Sequence, residues 1–133
     1  MPTQQPLTFG ADLVDFWAER HLCTVSTLRP DGSPHVVPMG IVLDAEHGRA
    51  WGITSASSRK VANLRGGPDP RVAVCQVDGR RWSTLEGVAE VLDDEQSVAE
   101  AVRRYAGRYR QPRENPSRVA LRIRLTRVLG NVR

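Results

Sequence analysis

Three short clusters of turn residues decide most of what this chain can become: Arg29-Pro-Asp-Gly-Ser33, Asp44-Ala-Glu-His-Gly48 and Asp78-Gly79. Each separates two apolar runs. Leu22–Leu28 and Pro34–Leu43 flank the first, Arg49-Ala-Trp-Gly-Ile53 follows the second, and Arg71–Val77 and Arg81–Leu92 flank the third. Connections this short join antiparallel neighbours; a parallel pair needs a crossover of a dozen residues or more. A last run sets Val119, Leu121, Ile123 and Leu125 against Arg122, Arg124 and Thr126, the alternation of a half-exposed strand. Gly87, inside the fifth run, predicts a bulge.

Helical spacing occupies the remainder. Ala11–His21 places Leu13, Phe16, Trp17 and, less strictly, Val14 on one face. Arg59 to Leu64 is a short helix stopped by Gly66-Gly67-Pro68. Asp93 with Gln96 reads as a capping box that opens a helix running to about Tyr109, with Val98, Val102, Tyr105 and Ala106 inward. Met1–Phe9 reads as a loose arm and Gln111–Ser117 as a proline-containing loop. The expected fold is mainly β with peripheral helices (α+β): a six-stranded antiparallel barrel forming one domain over residues 1–133.

Composition then removes several function classes. The 133 residues are 40% hydrophobic and 26% charged, an ordinary soluble globule. No apolar stretch approaches a membrane span, and no signal-peptide core opens the chain. Cys23 and Cys75 lack a Cys-x-x-Cys pattern, which predicts two reduced thiols in a cytoplasmic protein. His21, His35 and His47 show no ligand spacing with them, so no metal site is expected. A net charge of +4 favours anionic partners, but the arginines are scattered and only 5% of residues are aromatic. Nucleic acid is therefore not expected as a partner.

The stretch with the most chemistry is Thr54-Ser-Ala-Ser-Ser58-Arg59-Lys60. A strand turns here into a helix whose first turn is basic, and Ser55, Ser57 or Ser58 can cap it. Unpaired N–H groups, hydroxyls, a guanidinium and an ammonium together suit a phosphate. Lys60 is also the only lysine among nineteen Lys and Arg residues. A solvated basic turn explains the same residues equally well. The run His35-Val36-Val37-Pro38-Met39-Gly40 poses a similar choice. Pro34 and Pro38 cannot donate to a ladder, so one side of this strand is open, either to a planar ligand or simply as a protected edge. Trp82 reads as a core residue or a ring contact. Arg103-Arg104-Tyr105 to Arg108-Tyr109-Arg110 reads as a helix end whose cations suit its dipole.

These elements together resemble the split-barrel flavin and deazaflavin oxidoreductases, the group that includes pyridoxamine 5′-phosphate oxidase. The resemblance covers roughly residues 11 to 130. It lies in Thr27-Leu-Arg-Pro-Asp-Gly-Ser-Pro-His-Val-Val-Pro38, in Thr54 with Ser58-Arg59-Lys60 and Asn63-Leu64, in Asp69-Pro-Arg-Val72 and in Leu85-Glu-Gly87. Within the group the chain is most similar to the branch that uses coenzyme F-420. Val77-Asp-Gly-Arg-Arg-Trp-Ser-Thr-Leu-Glu-Gly87 and Arg104-Tyr-Ala-Gly-Arg-Tyr-Arg-Gln-Pro-Arg-Glu-Asn-Pro116 look like its biliverdin-reducing members.

The resemblance implies a homodimer with two cofactor sites at the interface. It implies that Thr54, Ser58, Arg59 and Lys60 hold the cofactor's phosphate, that Asn63 is a further cofactor-binding residue, that His35 to Gly40 lie along its ring system, and that Trp82 contacts the ring. Tyr105, Arg108 and Arg110 match the region where the oxidase binds substrate, with Arg108 and Arg110 as candidates for charge stabilisation. The oxidase's terminal arginine motif has no counterpart in Gly130-Asn-Val-Arg133, so vitamin synthesis is not expected. The implied activity is hydride transfer from F-420 to an electron-poor acceptor, possible acceptors being biliverdin or a related tetrapyrrole. An FMN flavoprotein of the same fold and a non-catalytic cofactor or tetrapyrrole carrier are the alternatives.

Overall fold

The computed structural model describes residues 7–133; Met1–Pro6, most of the expected loose arm, lie outside the described residues. The rest of that arm is not loose, because Leu7 and Phe9 pack against the core. The order is α1 (Ala11–Ala18), β1 (Cys23–Leu28), β2 (Pro34–Met39), β3 (Val42–Asp44), β4 (Arg49–Ser55), α2 (Arg59–Gly66), β5 (Arg71–Asp78), β6 (Arg81–Leu92), α3 (Glu95–Arg108) and β7 (Arg118–Asn131).

All seven strands form one antiparallel sheet in the order β2-β1-β5-β6-β7-β4-β3. The outermost strands are β2 and β3, yet only Gly40 and Ile41 separate them in the chain. Two residues cannot cross a flat seven-stranded sheet, so the sheet rolls until its edges meet. That makes a split barrel, and Ile41, fully buried, sits at the join. The expected single strand Pro34–Leu43 is therefore two strands broken at Gly40-Ile41, and the strand count is seven rather than six.

The turns behave as their residues dictate. Gly32 and Gly79 take the positive φ values, 86° and 63°, that their hairpins require. The β6–β7 register shifts at Glu86/Gly87, the bulge Gly87 foretold. A side chain there would lie 2.2 Å from the Arg124 carbonyl oxygen. Two helical boundaries differ from expectation: α1 stops at Ala18 and leaves Val14 exposed, and Asp94 rather than Asp93 caps α3, its carboxylate accepting from Ser97 N–H at 2.9 Å. α3 ends at Arg108, with Tyr109 as its C-cap, as the spacing predicts.

Inward residues of β1, β4, β5, β6 and β7, with Phe16 and Trp17 of α1, fill the barrel: Cys23, Val25, Ala50, Val72, Val74, Leu85, Ala89, Ile123 and Leu125. A smaller cluster of Trp51, Ala101 and Ala120 fastens α3 to the outside of β4 and β7. Outward residues of β1, β2, β5, β6 and β7 share the opposite face, and there Val36, Val77, Trp82 and Leu129 are exposed. Cys23 and Cys75 are both free thiols, Cys23 fully buried and Cys75 only partly. Among the described residues no helix is long and apolar enough to cross a membrane.

Candidate functional site

The basic turn forms where β4 runs out into α2. Of the three serines able to cap α2, Ser58 does so, its Oγ accepting from Val61 N–H at 3.4 Å. Ser55 Oγ instead accepts from Asn115 Nδ2 at 2.9 Å, and Ala56 N–H donates to the Ser117 carbonyl at 2.8 Å. The turn is thus tied to the loop that follows α3.

Arg59 is exposed and Lys60 half-buried, and among the described residues neither forms an ion pair. Burial holds the Lys60 ammonium below the usual lysine range. His35, from β2, lies in the same field. Burial first, then the charges of Arg29, Lys60 and Arg59, push its imidazole below the ordinary value of 6.5. Its Nδ1 is buried without a hydrogen-bond partner. Three cations and an orphaned ring nitrogen, with no carboxylate bonded to any of them, make a site short of an anion.

Beside this turn opens a cleft of about 400 Å³. Met39 and Gly40 form one wall, Thr54 and Ser55 another, and Tyr105, Asn115 and Arg118 the side next to α3. Gly40 is required by the tyrosines. A side chain on it would meet Tyr109 Cε2 at 2.8 Å and Tyr105 Cε2 at 2.9 Å, both too close.

The neighbouring edge of β2 can be read from its hairpin. Arg29 N–H bonds to the Ser33 carbonyl at 2.9 Å, in line with the β1–β2 register. Alternation then turns the backbone groups of His35, Val37 and Met39 toward β1 and those of Pro34, Val36 and Pro38 outward. Both prolines fall where a donor would otherwise point at the open edge. Val36 keeps the single outward N–H of this stretch, and of the flanking carbonyls that of Pro34 accepts from Arg29 Nη1 at 2.6 Å.

Comparison with known proteins identifies the fold that carries this cation-rich turn and open barrel edge. The family model described as pyridoxamine 5′-phosphate oxidase matches residues 9–131. This chain belongs to that family. An F-420-dependent biliverdin reductase of Mycobacterium tuberculosis is 46% identical over 121 residues, 90% of this chain and 86% of the relative. A conserved hypothetical protein of the same organism superimposes with a TM-score of 0.77 at 28% identity, over 97% of this chain and 89% of the other. A structure described as an F-420 reductase shares the fold, with a TM-score of 0.70 at 22% identity over 86% and 94% of the two chains.

This member of the pyridoxamine 5′-phosphate oxidase family brings only part of the expected site together. Met39, Gly40, Thr54 and Tyr105 line the cleft, while His35, Arg59 and Lys60 are not among its lining residues; Arg59 and Lys60 open α2, and their charges act on His35. Val36 and Pro38 flank the open edge, while Val37 faces inward.

Three residues depart from expectation. Asn63 is buried beneath α2, where its Nδ2 donates to Thr27 Oγ1 at 2.9 Å; it fastens the helix to β1. Trp82 lies on β6, three places from β2 in the sheet or about 14 Å at the usual strand spacing, and it faces outward. Within one protomer it does not reach the cleft. Arg108 is not available to a substrate. It is 9% exposed, and its guanidinium donates to the Glu19 carbonyl at 3.0 and 2.7 Å, to Gln76 Oε1 at 2.6 Å and to the Ile41 carbonyl. Arg110 is exposed and lines a second hollow with Arg20 and Tyr105.

Sequence reasoning missed Arg118 and Asn115, which complete the cleft. Asn115-Pro116-Ser117 does carry a local signal: Asn115 Oδ1 accepts from Ser117 N–H at 3.0 Å, the Asx turn such a triplet favours.

Proposed function

We propose that this chain is a reductase that binds the deazaflavin coenzyme F-420 and passes a hydride to an electron-poor, anionic organic acceptor, with biliverdin or a related tetrapyrrole as the candidate. One observation carries the binding half of this reading: the positive charges of Arg29, Lys60 and Arg59 act on His35, whose Nδ1 is buried without a partner, and among the described residues neither Arg59 nor Lys60 forms an ion pair. A phosphate-bearing cofactor supplies the missing anion. The choice of F-420 over FMN rests on the relative at 46% identity, whose name gives both that cofactor and biliverdin.

In this reading Lys60 and Arg59 grip the phosphate with Thr54 and the hydroxyl of Ser58 beside them, and the α2 N-terminus adds its partial charge. The backbone from Val36 to Gly40 offers a flat edge for a ring, and at Gly40 the Tyr105 and Tyr109 rings take the space a side chain would need. Reduced F-420 supplies the hydride from a ring carbon and reacts little with oxygen. The chain needs no nucleophile for this chemistry. Its task is to fix the geometry and keep water from the contact between ring and acceptor.

The reading includes a homodimer in a reducing, cytoplasmic compartment. Val77, Trp82 and Leu129 are exposed on the outward face of β5, β6 and β7, the face that Val36 shares on β2, and exposed apolar surface of that kind suits association. A second copy docked there is the route by which a Trp82 meets a cleft. The free thiols suit the compartment.

Titrating the purified protein with F-420 and with FMN, then offering biliverdin to the form loaded with reduced F-420, tests the proposal. Saturable F-420 binding and acceptor-dependent reoxidation are expected. Tight FMN binding with none for F-420 would replace the cofactor, and binding without turnover of any acceptor would make the protein a carrier.

A further inference from the structure

We propose that Arg20 and Arg110 form a subsite for the carboxylate arms of an extended, conjugated acceptor, set against the cofactor cleft. The inference rests on the reductase reading for where the reacting end of that acceptor lies; the subsite itself rests on the following geometry.

Arg20, His21, Leu22, Tyr105, Tyr109 and Arg110 enclose a hollow of about 340 Å³. Leu22 and Tyr105 also line the cleft between β2 and β4, so the two spaces share a wall. A molecule lying against Gly40 needs only to pass Tyr105 to enter the hollow. Its flat side is the Tyr105–Tyr109 pair, with ring centroids 4.9 Å apart and planes tilted by 30°. Such a surface suits a planar conjugated body.

The charges at its rim are unbalanced. Among the described residues neither Arg20 nor Arg110 forms an ion pair. The nearby carboxylates already have partners: Glu19 and Asp78 bond Arg81, and Glu100 bonds Arg103 and Arg104. His21 turns its Nε2 to Glu19 at 3.0 Å and leaves the hollow to the two arginines. Guanidinium groups recognise carboxylates through paired N–H donors, more specifically than an ammonium does.

The backbone that carries the two arginines is fixed. Arg108 clamps the Glu19 carbonyl, next to Arg20, and Tyr109 Oη donates to the His21 carbonyl at 2.6 Å, on its other side. Tyr109 also precedes Arg110. One clamp thus sets two segments 89 residues apart in sequence on either side of the hollow. Two arginines on separate supports fit a ligand with two carboxylate arms better than one with a single charge.

Biliverdin and its dimethyl ester are the probes, because they differ only in the carboxylates. Absorbance titration of the full chain, with and without F-420, reads binding apart from turnover. Wild-type protein is expected to bind the diacid about tenfold or more tighter than the diester, since a tenfold ratio needs only 1.4 kcal/mol. Arg20→Gln and Arg110→Gln each lower diacid affinity about five- to tenfold, and the double variant removes the preference, while F-420 affinity stays within about twofold. Equal binding of diacid and diester by wild type, or a double variant that keeps the preference, overturns the subsite. Failure of the reductase reading looks different. F-420 would then not bind, or its reduced form would not be reoxidised, whatever the two arginines do to tetrapyrrole affinity.

Discussion

Among the described residues Arg108 and the Arg59–Lys60 pair are cations without a carboxylate partner, and both sit close to the end of a helix. They differ in what their donors meet. Arg108 makes four hydrogen bonds to Glu19, Ile41 and Gln76 and packs its guanidinium over Trp17 and Tyr109, at 5.3 and 5.1 Å from the ring centroids. Arg59 and Lys60 stand beside an imidazole nitrogen that itself lacks a partner. Absence of a carboxylate therefore says little by itself. A cation points to a ligand when donors are left over, and to architecture when carbonyl oxygens already use them.

Removing the two kinds of cation should break different things. Arg108→Ala leaves the Glu19 and Ile41 carbonyls and Gln76 Oε1 without their donor, each loss costing about 1–3 kcal/mol. A total of about 3–5 kcal/mol off the unfolding free energy is expected in urea titration, because the Ile41 bond also closes the barrel. Arg108→Lys should recover only part, since one ammonium cannot span three acceptors. A loss below about 1 kcal/mol would mean that neighbouring groups replace the clamp and that Arg108 has donors to spare after all.

Arg59→Gln with Lys60→Gln should give the reverse pattern. Two charge-assisted contacts of about 1.5 kcal/mol each predict a loss of cofactor affinity of about 100- to 150-fold. Stability should move by no more than about 0.5 kcal/mol, because both side chains reach solvent and pair with nothing. Calorimetric titration and thermal unfolding of the same sample separate the two effects. Unchanged affinity for F-420 and FMN alike would remove the phosphate assignment.

The same contrast explains what could be read before the structure was known. The Arg29–Ser33 and Asp78-Gly79 hairpins, the Gly87 bulge, the prolines of an edge strand and a serine cap on α2 are local. Each follows from backbone preference within a few residues, and each is present in the fold. The basic turn was legible for the same reason. The destination of Arg108 was not, since its acceptors lie 32, 67 and 89 residues away and nothing around Tyr105 to Arg110 encodes them. The break at Gly40-Ile41 was hidden too. Pro38 and Gly40 interrupt the apolar run from Val36 to Leu43 without saying which of them breaks it, and only barrel closure puts the bend at Gly40-Ile41. Asn63 misled because a polar residue on a basic helix looks solvent-facing, while its partner Thr27 is a buried strand residue 36 positions earlier.

Asn63 gives a smaller test on the boundary between the two regions. Asn63→Ala removes the bond to Thr27 and leaves its buried hydroxyl with one partner fewer, at a cost of about 1–2 kcal/mol in stability. Cofactor affinity should fall less than about threefold. A larger fall would bring its unpaired Oδ1 into the binding site.

The smallest effect is the most diagnostic of charge. His35 is held below 6.5 by burial and by Arg29, Lys60 and Arg59. Between its native value and 6.5 the unfolded chain binds more protons than the folded one, so stability rises with pH across that window and falls as pH drops through it. An anion seated among the same cations offsets their repulsion and favours the imidazolium. The His35 resonance in an NMR pH titration should therefore midpoint below 6.5 in the free protein and move upward when F-420, or inorganic phosphate as a minimal probe, is bound. Lys60→Gln should also raise the free-protein midpoint, by removing one repelling charge, and should shrink the further rise on binding. A midpoint indifferent to both anions would separate His35 from the basic turn and leave its orphaned nitrogen a matter of packing.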